Sequence, residues 1–443
     1  MKKRVAGLAI VFLITSARAA EVYHLTLDEA VQLAIKQNRS LKIARLKVEE
    51  NQQKKAQDRS AYFPKLTNES NALHITELQN ILIPAGGLGN VGGTLIPGAT
   101  INLNQGKDNW FSSGTMLAQP ITQLIRIRQQ NRIAAAEVAT ARNDVKKAEN
   151  EVALQVHTLY YGILISQLQR KAAEQQTQFA NESLRESEDD VRNGSALKVA
   201  VIGNRAELLE GKQAELTADL QLVDYQTELN NLLGLPLDTE LELDPVVPAA
   251  SETVSKAEYL KIAWAENPEI LAAEESVQRA RAGVKAAKSA YIPDVTAYAR
   301  DSYQNGIPFL VHNFGEFGVH LSYDVFDFGK RGAAIREREV QLAEAEQNVQ
   351  RLKEEVAVSV ERSYDKVERT RSMVAVAQEV VRLRQESERL AVNQLAQGVI
   401  QVAERRQASA ANYKAQADLL QASLGYLLAR AELERTVGRT PGL

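Results

Sequence analysis

The most regular pattern along the chain is a row of apolar side chains that recurs every three or four residues. In the second half it comprises Val349, Leu352, Val356, Val360, Tyr364, Val367, Val374, Ala377 and Val381, and in the first half Val145, Ala148, Val152, Val156, Tyr160 and Ile163. This spacing places them on one face of an α-helix. Because no proline interrupts either segment, the pattern predicts two very long helices, at about Leu124–Arg192 and Lys330–Ala396.

Each long helix is expected to end just before a glycine, beyond which a second helical pattern begins. Gly194 and Gly398 break the periodicity, and the returning helices are expected to end at Gly234 and Gly438. Glycine is common just past the end of a helix because it adopts the left-handed conformation without strain. The chain therefore contains two predicted helical hairpins. Their turns consist of Asn193, Gly194 and Ser195, and of Gln397, Gly398 and Val399.

Two short segments in each half alternate between polar and apolar side chains with the period of a β-strand. They lie near residues 65–75 and 109–120 in the first half, and near 294–303 and 316–326 in the second. A further helix precedes each pair of strands, over about 27–60 and 256–290. An Ala-Tyr-(Phe/Ile)-Pro motif is expected to end each of these helices, because proline disfavours helix in the residue before it.

The two halves repeat the same elements in the same order. Pro64 and Pro293 follow the first helix of each half, and Gly194 and Gly398 mark the two turns. The markers are further apart in the first half, which therefore contains an insertion near its strands. The expected domains are a signal peptide at 1–20, a first repeat at 21–245 and a second repeat at 246–443.

The signal peptide is predicted from charge and hydropathy at the start of the sequence. Three basic residues at 2–4 precede an apolar run at 5–14, and Ala17-Arg18-Ala19 forms the small-x-small pattern that a signal peptidase recognises. An uncleaved membrane anchor is the alternative, but the run is shorter than the roughly 20 residues that a spanning helix needs. The pattern therefore indicates an exported protein.

Composition narrows the possible chemistry. The chain has no cysteine, which excludes disulfides and thiolate metal sites. Its net charge of −3, without a basic patch, argues against nucleic acid as a partner. The five histidines show no metal-ligand spacing, and no serine lies in a nucleophile-elbow motif. We therefore expect no catalytic residue, no cofactor and no metal site.

Four strands per chain cannot form a closed sheet alone. In a membrane, the open edges of such a sheet would present unpaired backbone groups to hydrocarbon, so several copies would have to close one barrel. Two copies would give eight strands and a filled interior, whereas three would give twelve strands and a wider lumen. The competing interpretation is a periplasmic coiled-coil scaffold or adaptor, and a third is an enzyme with an unrecognised site.

Four motifs resemble those of TolC-like outer membrane efflux proteins. They are the opening segment LTLDEAVQLA at 25–34, the two Ala-Tyr-(Phe/Ile)-Pro junctions, AQPI at 118–121, and LSYDVFDFGKR at 321–331. The resemblance implies a mainly α chain with a small β part, whose four strands contribute to a trimeric twelve-stranded barrel in the outer membrane. It also implies a helical tunnel in the periplasm. Such a channel passively conducts substrates for a tripartite efflux pump or type I secretion system, together with a periplasmic adaptor protein and an inner-membrane transporter.

The resemblance also implies functional positions. The two helical turns would contact the adaptor, and residues 83–106 would form an extracellular loop. The periplasmic gate would include Glu404, Gln407, Ala200, Ile400 and Leu395. Of these, Glu404 keeps the acidic residue of the family, whereas Gln407 and Ala200 do not. Ile400 and Leu395 replace an arginine and a tyrosine that lock the gate in the family. The alternative for Glu404 is a solvated helix residue paired with a nearby arginine.

Overall fold

The computed structural model describes residues 23–104, 106–245, 254–306 and 311–442. The signal peptide predicted at 1–20 lies outside these residues. The chain forms two compact units. The described residues of Met1–Leu46, Asn143–Leu271 and Arg351–Leu443 form unit 1, and those of Lys47–Arg142 and Ala272–Gln350 form unit 2. Each unit draws segments from both predicted repeats, whose exact boundaries stay a prediction.

Eight α-helices dominate the described residues. They are α1 (Leu27–Gln37), α2 (Arg39–Ser60), α3 (Leu124–Arg192), α4 (Lys198–Leu233), α5 (Lys256–Glu266), α6 (Pro268–Lys288), α7 (Lys330–Ala396) and α8 (Val402–Val437). The two long helices, of 69 and 67 residues, have the predicted bounds. None of the helices in the described residues contains an apolar stretch long enough to cross a membrane.

Ten strands are found in the described residues. They are β1 (Tyr23–Leu25), β2 (Lys65–His74), β3 (Asn80–Ile83), β4 (Asn90–Val91), β5 (Thr94–Leu95), β6 (Ile101–Asn104), β7 (Asn109–Pro120), β8 (Leu241–Leu243), β9 (Asp294–Asn305) and β10 (Asn313–Ser322). The four predicted strands form one antiparallel sheet in unit 2, in the order β10-β9-β7-β2. The mainly α chain with a small β part is therefore confirmed.

The last predicted strand, 316–326, is wrong at both ends. β10 begins at Asn313 and ends at Ser322. Beyond it, the Arg331 guanidinium donates to the Asp327 carboxylate at 2.6 Å and to the Asp324 carbonyl, and it lies 4.7 Å from the centre of the Tyr323 ring. These contacts hold residues 323–329 in a turn that leads into α7, although the alternation of apolar residues continues through them.

The six short strands were not predicted, because segments of two to four residues carry too little period-two signal. Residues 80–104, which overlap the predicted extracellular loop at 83–106, contain two small antiparallel ladders, β3 with β6 and β4 with β5. The extracellular position of the loop stays a prediction. In unit 1, β1 pairs in parallel with β8. The extra residues of the first half therefore fold into structure of their own.

An asparagine divides each helix that was predicted to run unbroken over 27–60 and 256–290. The side-chain oxygen of Asn38 accepts from the Leu41 amide at 3.1 Å, and its nitrogen donates to the Leu232 carbonyl at 3.2 Å. Asn267 does the same with the Ile270 amide at 3.3 Å and the Thr436 carbonyl at 2.9 Å. Each asparagine caps the following helix and binds the end of a returning helix.

The central part of the apolar row predicted along α3 and α7 lies in the core of unit 1. In α3, Val156, Tyr160 and Ile163 are fully buried, and in α7, Val360 and Val367 are. The Tyr160 hydroxyl donates to the carbonyls of Leu25 and Asp244, each at 2.9 Å, and burial raises the pKa of this tyrosine to about 12. His157 of α3 is also buried.

We predict that Asn38→Ala and Asn267→Ala will each lower the free energy of unfolding by about 1–3 kcal/mol, because each leaves a buried amide and a carbonyl without their partner. Thermal or denaturant unfolding of the detergent-solubilised protein measures this loss. Gln53→Ala, at an exposed position of α2, is the matched control. Equal stability of Asn38→Ala and the control would contradict the assigned role.

Candidate functional site

The two helical turns have the same backbone structure. Gly194 and Gly398 adopt positive φ angles of 74° and 72°. The next amide in each turn, that of Ser195 or Val399, donates to a carbonyl five residues earlier, at 2.8 Å and 2.9 Å respectively. This is the Schellman arrangement, which satisfies the carbonyls at a helix end. Both predicted turns are therefore formed as expected.

Apolar side chains surround the turns and are exposed to solvent. Leu197, Val199 and Ile202 at the start of the first returning helix, and Val399 in the second turn, are each about two-thirds exposed or more. Apolar side chains gathered at the end of a helical hairpin have no core to enter there. They are available to contact another protein. The predicted role of Asn193, Gly194, Ser195, Gln397, Gly398 and Val399 in binding an adaptor stays a prediction.

One cleft in unit 1 brings all five predicted gate residues together. Its volume is about 1160 Å³, and its walls are contributed by the two helical hairpins, α3 with α4 and α7 with α8. The five residues are Ala200, Leu395, Ile400, Glu404 and Gln407. They lie within one or two helical turns of the ends of α4, α7 and α8, or in the second turn itself. Their convergence agrees with a common role, and the gate stays a prediction.

The cleft is acidic. Its lining contains four carboxylates, of Glu186, Asp190, Glu207 and Glu404, and the ammonium group of Lys414. Of the four carboxylates, that of Glu186 is paired with an arginine of α8. Glu404 is exposed, and the described residues offer it no ion pair. Its carboxylate lies in the first turn of α8, where the positive end of the helix dipole favours it. Glu404 is therefore an exposed helix residue without the expected arginine partner, and its role in a gate stays a prediction.

Arg406 makes the cross-hairpin contact that the sequence did not reveal. Its guanidinium lies 3.4 Å from both Glu182 and Glu186 of α3, and its side chain is 21% exposed. Arg406 and Glu186 are 220 residues apart in the sequence. No local pattern could have indicated such a pair. Arg406 thus joins α8 to α3 close to the cleft.

Each hairpin is also closed internally by hydrogen bonds. In the second, the hydroxyl of Ser409 and the amide of Asn412 donate to the Glu388 carboxylate of α7, each at 2.6 Å. In the first, the Asn204 amide donates to the Ser183 carbonyl at 3.1 Å. Within each hairpin the helices are therefore held by side-chain hydrogen bonds, whereas Arg406 provides an ion-paired contact between the hairpins.

The chain belongs to the outer membrane efflux protein family. The sequence profile of that family matches residues 30–235 and 259–439, which is most of the chain and includes both predicted repeats. Efflux function and an outer-membrane location, both expected from the sequence motifs, follow from this membership. The interpretation as a periplasmic scaffold gains no support.

Solved structures show the same fold. The Campylobacter jejuni outer membrane channel CmeC is 16% identical, with a TM-score of 0.76 over 93% of this chain and 85% of that one. A membrane protein from Pseudomonas aeruginosa is 15% identical, with a TM-score of 0.75 over 94% and 91%. The Vibrio cholerae outer membrane protein VceC is 15% identical, with a TM-score of 0.73 over 93% and 96%. No curated protein sequence matches the chain significantly.

We predict that Arg406→Gln will loosen the contact between α8 and α3. Each partly exposed ion pair contributes about 0.2–1 kcal/mol, so the first turns of α8 should exchange their amide hydrogens faster, and added salt should reduce the difference. Hydrogen exchange with mass spectrometry measures this. Arg405→Gln is the matched control, since the described residues show no ion pair for Arg405. Equal exchange in both variants would contradict the assignment.

Proposed function

We propose that three copies of this chain form a passive channel across the outer membrane, as the outer component of a tripartite efflux pump. The two unpaired edges of its four-stranded sheet are the observation that carries the proposal. Membership of the efflux family and the likeness to proteins described as outer membrane channels support it. The chain itself would conduct substrates and catalyse no reaction.

The edges of the sheet are β2 and β10. In hydrocarbon, each unpaired backbone N–H or C=O group costs several kcal/mol, so both edges need partners. Neighbouring strands alternate in direction, and β2 and β10 consequently run in opposite directions. β2 of one copy can therefore pair with β10 of the next copy in the antiparallel manner of the rest of the sheet. Three copies would close twelve strands around an open lumen.

The two faces of the sheet differ in polarity, as a membrane channel requires. The apolar face carries Leu66, Leu117, Val295, Phe317, Val319 and Leu321. The charged face carries Lys65, Glu69, Asp294, Arg300 and Glu316. Asp301 is the one charged residue of these strands on the apolar face. We place the apolar face toward lipid and the charged face toward the lumen.

The acidic cleft and the helical turns would act at the periplasmic end of the channel. In a trimer, three copies of Glu404 would form a ring of carboxylates, which attracts cations at the entrance. Gln407, Ala200, Ile400 and Leu395 would complete the constriction without further charge. The exposed apolar turns would contact a periplasmic adaptor protein, which links the channel to an inner-membrane transporter.

The proposal is tested first by the native mass of the protein extracted from purified outer membranes in mild detergent. A species of three chains, each 48.9 kDa before any processing, that also forms ion-conducting pores in planar lipid bilayers would support it. A soluble monomer or dimer from the periplasmic fraction would overturn it, because the sheet edges would then face water rather than lipid.

We predict that Glu404→Gln will reduce the preference of the pore for cations, because it removes one negative charge per chain from the constriction. Gln407→Glu adds one negative charge at a neighbouring position of the same cleft and should increase that preference. Reversal potentials in asymmetric KCl, recorded from single pores, measure both changes. Unchanged potentials in both variants would place these residues outside the constriction.

A further inference from the structure

Arg300 is the positively charged side chain in the middle of the charged face. It lies in β9, directly opposite Met116 of β7 on one side and Glu316 of β10 on the other. Cross-strand neighbours of opposite charge usually interact. The described residues nevertheless show no ion pair for Arg300, with Glu316 or with any other carboxylate. Its guanidinium is directed across β7 instead.

The guanidinium occupies the space above a glycine of that strand. A β-carbon at Gly114 would lie 2.8 Å from Nη2 of Arg300, 2.9 Å from Nε and 3.3 Å from Cζ. Gly114 is consequently buried, although it lies in a sheet that is otherwise largely exposed. The Arg300 side chain therefore lies flat against the sheet, where any side chain at position 114 would exclude it.

Glycine inside a strand is otherwise unfavourable. It weakens the strand relative to alanine, and a close approach of another group to the backbone is one reason for its presence. The neighbours of Gly114 in the sheet are Glu69 of β2 and Ser302 of β9, so the flat guanidinium lies in a row that also contains a carboxylate. Gly315, in contrast, has only the Arg300 carbonyl oxygen near its missing β-carbon, at 3.8 Å.

We propose that Gly114 and Arg300 together determine the ion selectivity and the conductance of the β-lined part of the channel. This inference rests on the proposed function, because it takes the charged face as the wall of the lumen. With glycine at position 114, the three guanidinium groups of a trimer lie against the wall and leave the centre open. Their charges partly balance Glu69, Asp294 and Glu316 on the same face.

A side chain at position 114 would displace the guanidinium from the wall. We expect the displaced guanidinium to move away from the sheet, toward the axis of the lumen. Three displaced guanidinium groups would narrow the pore and repel cations more strongly, since they would lie nearer the path of the ions. Removing Arg300 would have the opposite effect, because it would increase the excess of carboxylates on this wall.

The test records single-pore conductance and reversal potential in asymmetric KCl for four proteins: wild type, Gly114→Ala, Arg300→Ala and the double variant. We expect Gly114→Ala to lower the conductance and the cation preference, and Arg300→Ala to raise the cation preference. In the Arg300→Ala background, Gly114→Ala should have no further effect. Gly315→Ala, which adds a methyl group on the opposite face of the same sheet, is the matched control and should conduct as wild type does.

The outcomes distinguish a direct contact between position 114 and Arg300 from a general distortion of the sheet. If Gly114→Ala changes the pore equally with and without Arg300, the methyl group distorts the sheet, and the inference is wrong. It is also wrong if wild type conducts but Arg300→Ala keeps the wild-type reversal potential. If Gly114→Ala fails to assemble while the double variant assembles, the close contact is supported, and Arg300→Ala alone decides the selectivity. A wild-type trimer that forms no pores would instead contradict the proposed function.

Discussion

Backbone hydrogen bonding at the two edges of one small sheet is the constraint on which the proposed assembly depends. Four strands can satisfy their inner N–H and C=O groups, but β2 and β10 each leave a row of them unpaired. In an outer-membrane protein those rows face either hydrocarbon or another copy of the chain. Only pairing with another copy avoids the free-energy cost of leaving backbone groups without hydrogen bonds in hydrocarbon. Self-association is then a requirement of the fold itself. The polarity of the two faces follows from it, because a closed sheet separates lipid from lumen.

Duplication explains how a single chain builds its helical part. The same devices occur twice: an asparagine that divides the first helix and binds the end of a returning helix, and a glycine of positive φ at each turn. Asn38 and Asn267 make equivalent contacts although their surroundings differ in sequence. The halves diverge where the first contains the extra ladders β3–β6 and β4–β5. Both halves thus keep the hydrogen bonds that end the first helix and join it to a returning helix, whereas their loops differ.

The region of the predicted gate departs from the family pattern in its electrostatics. Ile400 and Leu395 stand where an arginine and a tyrosine are expected, and neither can form a polar lock. Arg406 instead joins the two hairpins through Glu182 and Glu186, and this leaves the Glu404 carboxylate free in an acidic cleft. Because Arg406 pairs with Glu186, the carboxylates of Asp190, Glu207 and Glu404 and the ammonium group of Lys414 set the charge that faces the cleft. Helices at the same positions can therefore be joined by contacts other than the arginine and tyrosine lock of the family.

The sequence by itself determined the helices and turns that are marked by a repeated pattern of residues. The bounds of α3 and α7 follow from an apolar row that continues over many helical turns, and the two turns follow from Gly194 and Gly398. Tertiary contacts decided the rest. Asn38 divides a helix because its amide reaches Leu232, and β10 ends at Ser322 because Arg331 holds the next residues in a turn. The Arg406 pairs and the place of Arg300 above Gly114 likewise join residues that are distant in sequence. The periodicity of a sequence indicates only which face of a helix or strand is buried. Hydrogen bonds and ion pairs between distant residues depend on which helices and strands pack together.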